Sequence, residues 1–418
     1  MLRDFCTVCE GENNEFVGMQ FVDGSPVVSF PRGYRLLNDD ESVRKDILRL
    51  LATIQKFSDK KEGFSNEGKG REYVSFPLLS YQHIIRDFLA HGYYVEREEQ
   101  YKEASKGKIS WKKTIQQETP QIDNGNVVYL DFIIKTSKIN QNNLLSKIHE
   151  YCVFESFKNI GWLYVSGNTM PRKPQLKLNK KLFLTTLRDA ISNTFNTAKK
   201  LLFNSMINII EYADERVNEN ATARFGTYNF EYIWERMIDF VFGEENKDIY
   251  FPHARWHIIN KSGTIVESSA LLPDTVMLYD DKIYILDAKY YKYGITGYPN
   301  HLPNSSSIQK QITYGEYIDK SKQFAFNPNN IYNAFVMPFG KKEEDDDNYR
   351  FVSVGTADWK EYDESTQNYN YVLGILLDVK HIITTYSKSS LGEIEIVSNL
   401  IEQSLKTFKD QIYNKNYS

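Results

Sequence analysis

The sequence contains few cysteines and no long apolar run. Its three cysteines, Cys6, Cys9 and Cys152, are too few for the disulfide framework of small secreted proteins, which favours a reducing compartment. No stretch approaches the about 18 consecutive apolar residues that mark a membrane-spanning helix. The opening residues MLRDFCTVCEGENN also lack the apolar centre of a signal peptide. We therefore expect a soluble, cytoplasmic protein with no membrane partner.

Two further absences limit the chemistry. The sequence has no G-x-x-x-x-G-K-[ST] phosphate-binding loop, so any nucleotide hydrolysis must come from another protein. Its formal net charge is only −4, so contact with nucleic acid would require a local basic surface. The composition is otherwise that of a folded globular protein, with 41% hydrophobic, 25% charged and 14% aromatic residues.

Local patterns predict both helices and strands in the first half of the chain. Residues 16–30 alternate loosely around Asp23-Gly24, which is a hairpin signal. Residues 41–57 place apolar side chains at helical spacing, and NVVYLDFIIK is typical of a strand. Residues 140–213 are mostly helical in pattern.

The composition changes at residues 214–227, beyond which helices and strands alternate as in an α/β domain. A length of 418 residues is compatible with about two to three domains. We expect a β-rich N-terminal adaptor over residues 1–135, a mostly helical middle region over 136–227 and an α/β domain over 228–418. The overall class is α/β (α+β overall), with a mixed β/α N-terminal part.

Residues 273–291, PDTVMLYDDKIYILDAKYY, place charges at the ends of two apolar strands. A polar turn at residues 280–282 would pair these strands as a hairpin. Strand periodicity puts Asp287 and Lys289 on one face of the second strand, and Asp274 begins the first strand. Two carboxylates and one lysine are therefore expected to converge at one end of the hairpin.

Carboxylate oxygens suit Mg²⁺, which takes one or two protein carboxylates and retains several waters. A metal ion held by Asp274 and Asp287 would lower the pKa of a bound water and offset charge on a scissile phosphate. The lysine would orient that water or stabilise the developing charge. The alternative is an ordinary hairpin whose charged residues lie at its solvent-facing end.

The order P-D, then D-x-K thirteen positions after Asp274, resembles the PD-(D/E)xK nuclease motif. This resemblance implies a restriction-endonuclease-like core, a mixed sheet flanked by helices. Such enzymes commonly carry a glutamate on the helix before the metal-binding strands. Here NFEYIWERMIDFVFG predicts that helix, with Glu231 and Glu235 one turn apart. Glu231 shares the stripe of Trp234 and is expected to point inward, but both glutamates remain candidates and either can be a solvated residue.

A second helix is predicted downstream by SSSIQKQITYGEYI, whose serines suit a helix N-cap. It resembles the helix after the D-x-K strand in RecB-like and McrC-like nucleases, where a glutamine and a tyrosine lie near the site. Lys310, Gln311 and Tyr314 are accordingly expected to contact DNA or to support the site. Alternatively, Tyr314 packs on the sheet with the apolar residues of this helix.

Three segments taken in order resemble the LlaJI family of restriction endonucleases. They are FVGMQFVDGSPVVSFPRGYRL, GKISWKKTI and the P-D…D-A-K hairpin, and the most specific pieces are Phe30–Tyr34 and Gly107–Trp111. The family resembles McrC-type nuclease subunits. The resemblance implies a Mg²⁺-dependent endonuclease for double-stranded DNA, with Mn²⁺ able to substitute, in a restriction or phage-defence system.

The resemblance also implies a partner, an AAA+ GTPase like McrB that recognises and translocates DNA. Cleavage of both strands requires two active sites, so dimerisation on DNA is a further expectation. Two alternatives stay open: a non-catalytic activator of the GTPase partner, and a stand-alone restriction nuclease that needs no motor.

Overall fold

The computed structural model describes residues 1–10, 15–22, 24–57, 73–123, 126–140, 143–165, 170–219, 222–259, 264–324, 326–342, 347–359, 367–386 and 391–416. The chain forms two compact units, one of Met1–Gly70 with Arg224–Ser418 and one of Arg71–Ala223. The first unit is thus built from two segments that are far apart in the sequence. The three functional regions expected from the sequence stay a prediction.

The N-terminal segment of the first unit contains three strands and a helix. These are β1 (Cys6–Val8), β2 (Val17–Val22), β3 (Ser25–Phe30) and α1 (Asp40–Phe57). The hairpin predicted for residues 16–30 is confirmed, since β2 and β3 pair antiparallel with Val22 opposite Ser25. The predicted helix over residues 41–57 is confirmed as α1, whose apolar stripe is buried.

The second unit combines small antiparallel sheets with long helices. Its elements are β4 (Tyr73–Ser75), α2 (Leu78–His91), β5 (Glu96–Glu103), β6 (Lys108–Ile109), α3 (Trp111–Gln117), β7 (Gln121–Asp123), β8 (Asn126–Val128), β9 (Ile133–Asn140), α4 (Leu144–Ile160), α5 (Lys180–Ser192) and α6 (Thr197–Glu219). The single strand predicted for NVVYLDFIIK is wrong in its centre. Its first three residues pair with β7 in a hairpin, whereas its last three begin β9, which pairs with β5.

The C-terminal segment completes the first unit. It contains all but the first two residues of β10 (Thr222–Thr227), followed by α7 (Phe230–Phe242), β11 (Arg255–Ile258), β12 (Thr264–Glu267), β13 (Thr275–Tyr279), β14 (Lys282–Ala288), α8 (Tyr293–Thr296), α9 (Ser305–Lys320), β15 (Ile331–Phe339), β16 (Phe351–Ala357), β17 (Val372–Asp378), α10 (Val379–Thr385) and α11 (Leu391–Asn416). Strand β10 pairs antiparallel with β2, which joins the two segments of the unit in one sheet.

A five-stranded mixed sheet with the order β13-β14-β15-β17-β16 forms the centre of the C-terminal segment. The pairs β14/β15 and β15/β17 are parallel, and the two outer pairs are antiparallel. Helices cover both faces. Ile283 and Ile285 pack with Tyr314 of α9, whereas Tyr284, which points the other way, donates to Glu402 of α11. The expected mixed α/β architecture is confirmed at this level.

Among the described helices, none combines the length and the apolar character that crossing a lipid bilayer would need.

Candidate active site

The hairpin of β13 and β14 is confirmed and is closed by a two-residue turn. Asp280 and Asp281 have φ values of 50° and 55°, and Tyr279 pairs with Lys282 across them. Positive φ at both central residues is the geometry that matches the twist of paired strands, and aspartate tolerates it well. The register places Thr275 opposite Leu286, so Asp274 lies beside Asp287 at the far end of the hairpin.

Asp274 and Asp287 meet at that end. The Oδ2 atom of Asp274 accepts a hydrogen bond from the backbone amide of Ala288 at 2.9 Å. Asp287 is 2% exposed, although carboxylates are rarely buried without a partner. Its Oδ1 atom is buried and has no hydrogen-bond donor among the described residues. The hairpin therefore holds Oδ1 of Asp287 where it can accept a hydrogen bond or bind a cation.

Lys289 is the cationic member of the group. Its Nζ atom lies 2.8 Å from Oδ2 of Asp287, and its backbone amide donates to the carbonyl of Val336 at 2.9 Å. Burial disfavours the ammonium, but the carboxylates of Asp287 and Asp274 outweigh burial, so the pKa of Lys289 is raised. The lysine thus stays charged beside Asp287.

Helix α7 contributes Glu235. Burial raises the pKa of the Glu235 carboxyl, Lys289 opposes this, and Asp287 and Glu231 reinforce it. Glu235 is therefore electrostatically coupled to both groups of the D-x-K segment. Glu231 is partly buried one turn earlier and acts on Glu235, which leaves both glutamates as candidates.

Trp234 fixes the position of α7. Its indole is fully buried, and its Nε1 atom donates to the carbonyl of Val336 in β15 at 3.3 Å. This carbonyl is the one that accepts from the Lys289 amide. Because Glu235 directly follows Trp234, the anchored indole determines where the glutamate can reach.

Helix α9 supports the hairpin from its other side. Gln311 is buried and donates to the carbonyl of Ile285 at 2.6 Å, and the hydroxyl of Tyr314 donates to the carbonyl of Leu272 at 3.0 Å. Lys310 is exposed, with its ammonium 5.6 Å from the centre of the Tyr314 ring. The helix is capped by Asn304, not by the predicted serines, because Oδ1 of Asn304 accepts from the amide of Ser307.

Burial, and repulsion from the other carboxylates of the site, raise the pKa of Asp274. Burial, then the neighbouring carboxylates of Asp287 and Glu235, raise the pKa of Asp274 to about 7. Asp274 and Asp287 therefore form a closely spaced pair of carboxylates. The pair fits Mg²⁺, which needs only one or two protein carboxylates and completes its shell with water. With Asp274 ionised, a cation would also satisfy the orphaned oxygen of Asp287.

A second acidic group lies in the other unit. Glu103, Glu118 and Asp131 are the only three side chains in the described part of the chain whose candidate ligand atoms all lie within 4.8 Å of one another. Two of them are exposed. The carboxylates of Asp274, Asp287 and Glu235 do not form a second group of three at this spacing. A single ion would therefore take at most two of these three carboxylates as direct ligands without movement of the third.

Residues 16–363 match the model of the LlaJI restriction endonuclease family, which is most of the chain. The chain belongs to this family. It is also similar to component YdjA of the type II restriction enzyme BsuMI from Bacillus subtilis (strain 168). The two are 24% identical over an alignment of 323 residues, and the match covers 72% of this chain and 67% of the relative.

Among solved structures, the chain of this LlaJI family member resembles one from a half-complex of Thermococcus gammatolerans McrB AAA+ hexamers with bound McrC. The match has a TM-score of 0.39 and 15% identity, and it covers 92% of this chain and 83% of the other.

Two neighbours of the site in this LlaJI family member were not predicted from the sequence. Lys247 donates to the backbone carbonyl of Asp274 at 2.6 Å and forms an ion pair with Asp239 at 2.6 Å. Arg32 contacts Tyr290, which directly follows Lys289. The sequence carries no periodic signal for Lys247, whereas Arg32 lies in the Phe30–Tyr34 segment that marked the family resemblance.

Proposed function

We propose that this chain is a Mg²⁺-dependent nuclease that hydrolyses phosphodiester bonds of double-stranded DNA in a restriction system. The observation that carries the proposal is the convergence of Asp274, Asp287, Lys289 and Glu235 at one end of the β13–β14 hairpin, with a buried oxygen of Asp287 lacking a donor. Membership in a restriction endonuclease family supports the substrate class. On this proposal the mixed sheet with its flanking helices is a PD-(D/E)xK core.

Each residue has a separate task in the proposed reaction. Asp274 and Asp287 would hold the Mg²⁺ ion, and Mn²⁺ would fit the same oxygen ligands. When bound, the metal supplies a water of lowered pKa and offsets charge on the scissile phosphate. The ammonium of Lys289, held beside Asp287, orients the attacking water or stabilises the charge that develops on the phosphate. Glu235, and Glu231 behind it, would hold waters at the site.

Helix α9 has a supporting task. Gln311 binds the carbonyl of Ile285 within β14, and Tyr314 binds the carbonyl of Leu272 just before β13, so together they would keep Asp274 and Asp287 in register. Of these three residues Lys310 is the exposed one, and we propose that it reaches the DNA backbone.

The decisive experiment compares two equivalent substitutions in one hairpin. Asp287→Asn removes the buried carboxylate, whereas Asp280→Asn changes a side chain that is 76% exposed at the other end, where asparagine also tolerates the positive φ. Plasmid nicking and linearisation are measured with Mg²⁺ and with EDTA. We expect cleavage by the wild type and by Asp280→Asn, and the EDTA background for Asp287→Asn. Equal cleavage by both variants would reject the site.

We further propose that an AAA+ GTPase drives this nuclease. The support is the absence of a phosphate-binding loop from the sequence, the resemblance to McrC-type subunits and the description of the Bacillus relative as one component of a restriction enzyme. Dimerisation on DNA is part of the proposal, because two strands need two sites. The test measures GTPase and cleavage rates with and without this chain. Stimulation of the GTPase without any cleavage would instead favour the activator function. Cleavage at the same rate with and without the partner would favour a stand-alone nuclease.

A further inference from the structure

The Phe30–Tyr34 segment lies against the carboxyl ends of two central strands. Arg32 contacts Tyr290, 258 positions later, in three ways. Its backbone amide donates to the Tyr290 hydroxyl at 3.0 Å, its Nη1 atom donates to the Tyr290 carbonyl at 3.3 Å, and its guanidinium carbon lies 4.4 Å from the centre of the ring. The backbone, the hydroxyl and the ring of Tyr290 are therefore all held by one residue.

Gly33 keeps the segment close to the sheet. It has a φ of +78°, and a Cβ atom there would lie 3.0 Å from the carbonyl carbon of Phe339, the last residue of β15. A side chain would therefore be strained by its backbone conformation and would also press against that strand. Glycine at this position lets Arg32 approach the edge at which β14 and β15 both end.

Tyr290 lies between Arg32 and the helix that carries Glu235. Its ring centre is 5.5 Å from that of Phe230 and 6.1 Å from that of Trp234 in α7. On its N-terminal side is Lys289, whose amide is bound to Val336 and whose ammonium lies beside Asp287. The backbone of Lys289 is thus fixed at its own amide and, one residue later, by Arg32.

We propose that Arg32 is a positioning residue, which holds Tyr290 and through it sets the direction of the Lys289 side chain. The guanidinium of Arg32 contacts both the carbonyl and the ring of Tyr290, so the side chain is oriented toward this tyrosine. The planar guanidinium both stacks on the ring and donates in a fixed direction, which lysine cannot do. This inference rests on the proposed nuclease function and adds a residue to it.

The test follows kcat and KM for DNA in Arg32→Ala, Arg32→Lys and Tyr290→Phe, with thermal unfolding of each variant. We expect Arg32→Ala to lower kcat roughly 10- to 100-fold with KM unchanged, because a misplaced group loses rate rather than binding. Arg32→Lys should restore less than half of the decrease in the logarithm of kcat that Arg32→Ala causes. Tyr290→Phe removes only the hydroxyl, which accepts from the backbone amide of Arg32, and keeps the carbonyl and ring that the guanidinium contacts, so its loss in kcat should be smaller than that of Arg32→Ala.

Arg35→Ala is the matched control. Arg35 is an exposed arginine three residues later that donates to the carbonyl of Gly340 and does not bind Tyr290. Its substitution should leave kcat within about twofold. An equal loss in Arg35→Ala, a change confined to KM in Arg32→Ala, or a loss of kcat in Tyr290→Phe as large as that in Arg32→Ala would each overturn the assignment.

Hydrogen exchange separates this inference from the proposed function. Amides of residues 286–292 should exchange faster in Arg32→Ala than in the wild type or in Arg35→Ala, and this measurement needs no cleavage. Absence of cleavage by the wild type under every condition would reject the nuclease function alone. Unchanged exchange in Arg32→Ala would reject the role of Arg32, whatever the activity.

Discussion

Trp234 and Lys289 donate to the same carbonyl oxygen, that of Val336, at 3.3 and 2.9 Å. One hydrogen bond comes from the helix that carries Glu235, and the other comes from the last charged residue of the D-x-K segment. The carbonyl belongs to β15, which pairs in parallel with β14. The relative placement of Glu235 and Lys289 is therefore set by one backbone atom in the centre of the sheet.

Trp234→Phe should remove the hydrogen bond from the indole to the carbonyl of Val336 while keeping an aromatic ring in the core. Phenylalanine keeps much of the ring but loses the N–H donor and some volume, so we expect the free energy of unfolding to fall by about 1–3 kcal/mol. Cleavage should fall more than it does for Tyr232→Phe, a change on the same helix at a side chain that is 51% exposed. Urea denaturation and initial cleavage rates check both statements. Identical stability of the two variants would show that the shared carbonyl contributes little.

Lys289→Met tests the cation of the site. The ammonium lies 2.8 Å from Asp287, and methionine matches much of its length but carries no charge. We expect kcat to fall roughly 100- to 1,000-fold, which is typical for the loss of one group that stabilises developing charge. Lys322→Met, at an exposed lysine, is the control and should cleave like the wild type. A decrease in kcat of less than tenfold in Lys289→Met would show that Lys289 has no direct part in the reaction.

The hairpin and its charges could be predicted because both depend on local rules. The turn at Asp280 and Asp281 and the period of two in β14 are enough to bring Asp274 beside Asp287. The apolar stripe of α7 likewise follows from its spacing, with Trp234 fully buried. These features need no information from the rest of the chain.

Other features depend on contacts between distant segments and have no local signal. The pairing of Arg32 with Tyr290 joins residues 258 positions apart, and β17 inserts between β15 and β16 although it follows both in the chain. The break in NVVYLDFIIK arises because its first three residues pair with β7 and its last three pair with β5. For the same reason helical spacing alone did not separate Glu231 from Glu235, since the position of α7 depends on Val336.

Glu235 should matter more for metal use than Glu231. Glu235 is coupled to Asp287 and Lys289 directly, whereas the described contribution of Glu231 is its effect on Glu235. We expect Glu235→Gln to raise the Mg²⁺ concentration for half-maximal cleavage roughly tenfold, in the range typical of residues that support metal ligands. Glu231→Gln should raise it less. Titrations of cleavage with Mg²⁺ compare the two, and the opposite order would assign the supporting role to Glu231.

Asp274 should make the metal-free protein less stable as the pH rises. Burial beside Asp287 and Glu235 raises its pKa from 3.8 to about 7 in the folded protein. Between these two values the folded chain holds a proton that the unfolded chain has released. The contribution of Asp274 to the free energy of unfolding is therefore fully present below its unfolded-state pKa. It is lost as the pH rises through the folded-state pKa of about 7, and the loss is a few kcal/mol at most.

Asp274→Asn should remove most of this pH dependence, because the amide does not titrate. Free energies of unfolding in EDTA between about pH 5 and 8 should decline in the wild type and stay nearly level in the variant. Asp280→Asn, at the exposed end of the hairpin, should keep the wild-type slope. Addition of Mg²⁺ should restore stability to the wild type at the alkaline end, because a bound cation takes the place of the lost proton. A decline that persists in Asp274→Asn would assign the pH dependence to another group and remove the reason for a cation between the two aspartates.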